Sequence, residues 1–418
     1  MIGGFVPEER ANAFDRRLYT PMSSKVEQAP VLSQVEKFKS EIVELRRHIH
    51  KHPELSFDEA NTGKLVADRM RKLGYDVRPG VGGTGVVAEI GDASSGRTVA
   101  LRADMDALPI TEENPNEYCS SNTGVMHACG HDAHTACALG AAMLLAQDPP
   151  KNGRVRFLFQ PAEEMVNDDG KSGATLMIEQ GCMHDVDAVF ALHCDPKTSV
   201  GKIKVKDGAM LAACDTFEIS IRGIPTHGAY PQYGIDAVIL AAQAVQAIQT
   251  VISRRKSALE PAVLTFGGIK STTYRPNIVA EEVQLIGTSR YFENEIGELI
   301  FEELKKALSV VEAMGGSFEI KRTKDNPAVT NDPQINNVVR SVASRILGKE
   351  NVIESNYEMG AEDFSFMSQV VPGAFFFLGT KIEESPRAIH TPQFDIDENA
   401  LPLGSALLAE CARQYLGG

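Results

Sequence analysis

Short apolar runs of strand length alternate with helical periodicity along most of this chain, and no other feature restricts its fold as strongly. Residues 86–90, 98–102, 154–159 and 187–192 read as strands, and residues 134–147 and 174–180 as helices. Near-continuous apolar strands separated by helices predict an α/β domain with a mostly parallel sheet covered on both faces. Upstream, Val35, Phe38, Ile42, Leu45 and Ile49 recur at three- and four-residue steps, which predicts a helix over 33–51. Pro53 ends it, and Ser56 with Glu59 has the spacing of a capping box for a second helix running to Gly74.

The pattern changes after about Gly208. A strand at 216–221, a helix at 235–254, strands at 262–267 and 282–288, a helix at 295–314 and a strand at 317–321 follow in turn. This order is that of a ferredoxin-like α+β unit, complete in about 110 residues. The alternation then resumes, and 418 residues are too many for one ordinary core. The chain therefore divides into an α/β domain in two segments, 31–208 and 325–418, interrupted by a satellite at 209–324. Residues 1–30 mix charge, proline and small polar residues without periodicity and read as a loosely held extension.

A formal net charge of -14 argues against nucleic acid as a partner, because binding it needs a basic face. The seven cysteines form no C-x-x-C pair, and an odd number in a chain this long reads as reduced thiols in the cytoplasm. No basic leader runs into an apolar stretch, and no unbroken run of 18 apolar residues occurs, so no membrane association is expected.

Chemistry-bearing residues gather just beyond strand ends, where open α/β sheets place their sites. Asp104 and Asp106 leave the strand that begins near Thr98; Cys129 and His131 flank Gly130 before a helix. Glu163 and Glu164 follow the strand over 154–159, and His193 follows the strand that begins near Asp187. Each has a plain alternative: loop caps for the aspartates, a solvated pair for the glutamates, a satisfied core histidine for His193. A thiolate and an imidazole two residues apart can converge on one ion, which makes Cys129 and His131 the stronger signal. Coincidence of all four groups at one sheet edge weighs against the plain readings jointly. His48, His50 and His52 imitate a metal cluster, but His48 and His52 close a polar helix far from any strand tip and suit packing or a surface cap. The run Gly83-Thr84-Gly85 enters a strand instead of leaving one into a helix, so it lacks the geometry of a dinucleotide loop.

At these residues the chain resembles the aminoacylase/carboxypeptidase superfamily of di-metal peptidases, in the amidohydrolase branch of hippurate and indole-acetyl-amino-acid hydrolases. The resemblance rests on R-R-H-I-H-K-H-P-E-L-S-F (46–57), R-A-D-M-D-A-L-P (102–109), M-H-A-C-G-H-D-A-H (126–134), Q-P-A-E-E (160–164), A-L-H (191–193), M-G-A-E-D-F (359–364) and H-T-P (390–392). It implies that Cys129, His131, Glu164, His193 and His390 hold two divalent metal ions, with Glu163 as general base and a supporting role for Asp104 or Asp106. It implies further that the satellite forms a homodimer and that His227 reaches the partner's site, while Asn277 and Arg290 contact substrate. For Arg290 a surface salt bridge is the alternative. The chain departs from the family's pattern at Met165, where glycine is usual, at Pro225-Thr226 before His227, and at Ala280, where proline is usual.

The expected activity is hydrolysis of the amide bond of N-acyl amino acids, small-molecule conjugates of acetyl, benzoyl or indole-acetyl type, by a water that two metals activate. Thiolate and imidazole suit zinc, and the set also admits manganese, cobalt or nickel. Three rivals stand beside this reading: a carboxypeptidase or dipeptidase with the same machinery, a silent amino-acid-conjugate binder, and an enzyme using Cys129 as nucleophile.

Overall fold

The computed structural model describes residues 30–383 and 387–417, so the proposed extension lies outside the described residues except for Pro30. Pro30 opens the first helix, Pro30–Val35, which passes through a single tight turn into Lys39–Lys51. The latter buries Ile42, Leu45 and Ile49 on one stripe, the period its sequence carries.

The next helix, Ala60–Lys72, corrects the capping-box expectation: its N-cap residue Glu59 makes no side-chain cap bond. Glu59 is buried instead, accepting from Thr84 Oγ1 and from the Ala162 amide, and Ser56 Oγ donates to Asp106. The free helix amides are taken from outside by Glu54, whose carboxylate accepts from Asn61 N at 3.1 Å and Thr62 N at 2.8 Å. Orphan N–H groups must be satisfied, but the sequence spacing does not say which acid does it.

The catalytic domain is built on an eight-stranded mixed sheet. Its middle consists of four mutually parallel strands in the order Gly153–Gln160, Thr98–Asp104, Ala188–Ser199 and Gly373–Lys381. Antiparallel Gly85–Asp92 and Asp76–Val81 extend one side, and Ile203–Val205 with Val352–Glu354 the other. Side-chain alternation feeds two cores. Phe157, Phe159, Phe190 and Leu192 pack with the helices His131–Gln147 and Ala400–Tyr415. Leu158, Val189, Ala191 and Phe375 face Met177, Phe364 and Met367 on the other side. The helix His131–Gln147 is buried on every side from Ala133 to Leu145.

The insert forms its own four-stranded antiparallel sheet, in the order Ser317–Asn326, Ala213–Arg222, Glu282–Tyr291, Ala262–Ser271. That is the ferredoxin-like strand order, with the helices Ala237–Thr250 and Asn294–Ala313 laid on one face. The segment Ala237–Arg255 has the length and apolarity to cross a membrane, yet Leu240, Ala244 and Ile248 are packed into this satellite core. Both chain crossings between the domains lie side by side, because Gly208–Leu211 pairs with Val329–Asn331.

Replacing Glu54 by Ala should remove the external cap and cost about 1–2 kcal/mol. A thermal melt should register this as a Tm lower by roughly 1–2 °C per kcal/mol for a domain of this size. An equal loss in Ser56→Ala with none in Glu54→Ala would return the cap to Ser56.

Candidate metal centre

Strand register brings the chemistry to one level. Arg102 lies opposite Leu158 and Ala191, and Asp104 opposite Gln160. Two residues beyond Ala191 comes His193, paired with Phe377 on the next strand. His193 is therefore within a strand and not after one, as expected from the sequence. Its strand continues to Ser199 because Gly373–Lys381 runs alongside it that far, well past the end of Thr98–Asp104.

Two turns then aim the remaining side chains. Gly130 takes a positive φ of 94°, a conformation that favours glycine, and a Cβ there would stand 3.2 Å from that of Cys194. The helix can thus start at His131, three residues earlier than its periodicity suggests. Ala162 sits at φ 45° directly before the paired glutamates, and His390 at φ 60°. Left-handed non-glycine residues are strained, and strain of this kind clusters at functional sites. The His390 amide donates to Ala128 O at 2.7 Å, which ties the last segment of the chain to the Cys129 turn.

The result is a convergence of donors. Ligand atoms of Cys129, His131 and His193 lie within 4.8 Å of one another, as do those of Cys129, Glu164 and His390, so the thiol belongs to both groups. His193 Nδ1 is 2.8 Å from Cys194 O, leaving Nε2 toward Cys129 Sγ at 3.4 Å. His131 Nδ1 is 3.0 Å from Asp106 Oδ1, and its Nε2 is buried with no hydrogen-bond partner. Buried Glu164 Oε1 likewise has no hydrogen bond, although His390 Nε2 stands 3.1 Å away. Orphaned buried nitrogen and oxygen atoms facing a thiol are what a thiophilic divalent cation would satisfy, so the donor set fits such ions. The trio Asp104, His131 and His134 is a different case. His134 Nδ1 is spent on Asp104 at 2.6 Å and Nε2 accepts from Cys194 N, so no lone pair remains for an ion.

The two aspartates part company here. Asp106 orients His131 and accepts from Ser56 Oγ and the Glu164 amide, so one carboxylate fixes both ligand-bearing segments. Asp104 is held by Arg102 and His134. Electrostatics follow from burial: His193 is pushed down to about 3 by desolvation and by His134 beside it, which keeps the imidazole neutral. Burial also pushes the Cys129 thiol up, which disfavours a free thiolate nucleophile. The Cys129 thiol and the Glu164 carboxylate beside its ring raise His390 to about 10. Burial, reinforced by Glu362, Glu164 and Asp363, drives Glu163 well above the usual carboxylate range.

A cavity of about 530 Å³ opens over these groups, with Arg290 of the satellite on its wall. Arg290 is half-buried and has no carboxylate partner among the described residues, contrary to the surface salt bridge weighed as its alternative. His227 and Asn277 do not line this cavity. They sit together on the exposed satellite surface, where Gly228 N donates to Asn277 O and His227 bridges Ile278. Of the histidines set aside, His48 and His52 meet in a tilted ring contact at the exposed helix end. His50 is fully buried against Asp132 and Glu112. Sequence reasoning gave no role to Arg102, Gln160, Glu362 or Asp363, which form a buried knot beside Glu163. An arginine inside an otherwise apolar strand was the available signal.

Comparison with known proteins gives a consistent picture. The family model described as Peptidase family M20/M25/M40 matches residues 100–414. An N-acetyl-L-cysteine deacetylase of Bacillus subtilis is 38% identical over 94% of this chain and 92% of its own length. Thermostable carboxypeptidase 1 of Saccharolobus solfataricus is 39% identical over 88% of this chain and 94% of its own. Among solved structures, a dinuclear metal binding peptidase of the M20 family from Bacillus subtilis superposes with a TM-score of 0.79 at 33% identity, covering 91% of this chain and 99% of that one.

Asp106→Asn should weaken divalent-cation affinity by about 10–100-fold, as loss of an orienting partner does, measured by competition with a chromophoric chelator. Asp104→Asn should act chiefly on stability; the opposite ranking would exchange the two roles. Protons held by Cys129 and His390 must leave before a cation enters, so affinity should rise with pH.

Proposed function

This chain belongs to peptidase family M20/M25/M40 and is a metal-dependent amide hydrolase, and from that premise we propose that it cleaves N-acyl amino acids with two divalent cations held around Cys129. The carrying observation is the thiol shared by two donor groups, His131 with His193 on one side and Glu164 with His390 on the other. Zinc, manganese, cobalt or nickel would suit this set. When bound, the cations supply Lewis acidity that polarises the amide carbonyl and acidifies a water.

The protein's own groups do the rest. Glu163, one residue from a ligand and raised in basicity by burial and acidic neighbours, takes the water's proton and returns it to the departing amine. Arg290, on the cavity wall and without a carboxylate partner among the described residues, receives the substrate carboxylate. Leu211, Phe377 and Ile389 offer the acyl group an apolar surface in the same cavity. A deacetylase and a carboxypeptidase are about equally similar to this chain, so a peptide-cleaving reading stays as the second one.

His227 completes the proposal from a partner subunit. Its Nδ1 accepts from the Ala229 amide at 3.0 Å, which leaves Nε2 for a substrate oxyanion. Tyr230 lies against it and Ile278 pairs with it, and these two are exposed together with Ile224, Tyr233 and Val238 of the same segment, apolar surface suited to a second copy of the satellite.

Chelation should abolish hydrolysis and Zn, Mn or Co should restore it. In a panel of acetyl, benzoyl and indole-acetyl amino acids set against dipeptides, the conjugates should be the faster substrates; a preference for dipeptides would move the protein to the second reading. Glu163→Gln should stop turnover with metal content near wild type, and an emptied site would instead make Glu163 a ligand.

Inactive His227→Ala chains, costing on the order of 2–4 kcal/mol in transition-state stabilisation, should regain activity when exchanged with inactive Glu163→Gln chains. Heterodimers that form and stay inactive would remove His227 from the partner's site.

A further inference from the structure

The buried knot next to Glu163 has no part in the chemistry described so far. Arg102 has no solvent exposure and spends its whole guanidinium on four groups. Nε donates to Gln160 Oε1 at 2.8 Å and one terminal nitrogen to Asp104 Oδ2 at 2.7 Å. The other donates to Glu362 Oε1 at 2.8 Å and Asp363 Oδ1 at 3.0 Å. Gln160 Nε2 grips the Asp363 carboxylate a second time, at 2.8 Å from each oxygen. Asp363 in turn points its backbone amide at Glu163 Oε1, 3.3 Å away, the one hydrogen bond to that carboxylate among the described residues.

Residues 359–362 have no helical or strand structure, and the helix that follows begins only at Phe364. Ser365 N donates to Glu362 O, which sets the peptide unit carrying the Asp363 amide relative to the helix that follows. What sets that segment against the sheet is the fork of Arg102, which joins two neighbouring strand ends to residues about 260 further along the chain, aided by the Ala174 amide on the other Asp363 oxygen. We propose that Arg102 is a positioning residue for Glu163, acting through the Asp363 amide, with Gln160 as the second clamp. The proposal rests on Glu163 being the general base. A rigid planar fork is required, which lysine cannot supply even though it keeps the charge.

The test uses full-length enzyme loaded with Zn or Mn. Arg102→Lys should lower kcat about 10–100-fold, the scale of an ångström-sized misplacement of a reacting group, with KM within about twofold of wild type. It should retain the wild-type metal content per folded chain. Hydrogen exchange of peptides covering 359–364 should become faster, a readout that does not depend on activity. Gln160→Met removes only the second clamp and should shift kcat and exchange in the same direction by less, so the idea remains testable if Arg102→Lys does not fold. Unchanged kcat in the folded variants, or metal content falling in step with kcat, would overturn the positioning role. Failure of the underlying reading looks different: Glu163→Gln itself would then keep a wild-type rate.

Discussion

Crowding carboxylates out of water is the constraint around which this catalytic domain is arranged. Asp104, Glu163, Glu362 and Asp363 gather about Arg102, a single guanidinium, and Glu164 stands next to them. Like charges in a poorly hydrated place either take up protons or attract counter-charge. Here the shortfall is visible in Glu163, driven upward by burial and its acidic neighbours, and in Asp363, pushed up to about 7. A centre with that deficit suits divalent cations, and the same crowding raises the basicity of Glu163 beside Glu164.

A second buried guanidinium does for the scaffold what Arg102 does for the site. Arg46 reaches Asp132 at 2.7 Å, Asp395 at 2.9 Å and Glu398 at 3.3 Å, joining the first long helix to the start of the central helix and to the C-terminal segment. His50, one helical turn on, shares Asp132. Ion pairs of this kind add little net stability over an apolar replacement, but removing one partner strands the rest, so they enforce a single arrangement. Asp132 stands at the start of the central helix, so the arrangement enforced includes the position of the helix end that carries His131.

Much of this was legible in the sequence. Apolar runs gave the strands, their spacing gave the ferredoxin-like insert, and acids at strand ends pointed to the cavity. Candidate metal donors near each other in sequence, Cys129 and His131, could be paired by spacing. His390 could not, because its approach depends on a left-handed backbone and one bond to Ala128, neither of which has a sequence period. Glu59 was misread for a related reason: its spacing suits a cap, but burial against Thr84 and Ala162 outweighs a local bond. Arg102 and Asp363 are partners across most of the chain, and one-dimensional patterns say nothing about partners at that separation. Asp104 and Asp106 were equivalent on paper and became distinct only when the helix at His131 presented one ring nitrogen to Asp106.

The order of strands carries a consequence for how the molecule is made. Gly373–Lys381 is inserted between Ala188–Ser199 and Ile203–Val205, strands that leave the ribosome far earlier. Until that late strand arrives, the catalytic sheet is split, with two apolar edges waiting for one partner. The satellite has no such dependence, since all four of its strands lie between Ala213 and Asn326. During synthesis it can close as a finished unit while the surrounding halves are still apart. Its paired crossings then hold those halves near each other, so that the insert works as a tether shortening the search for the final strand.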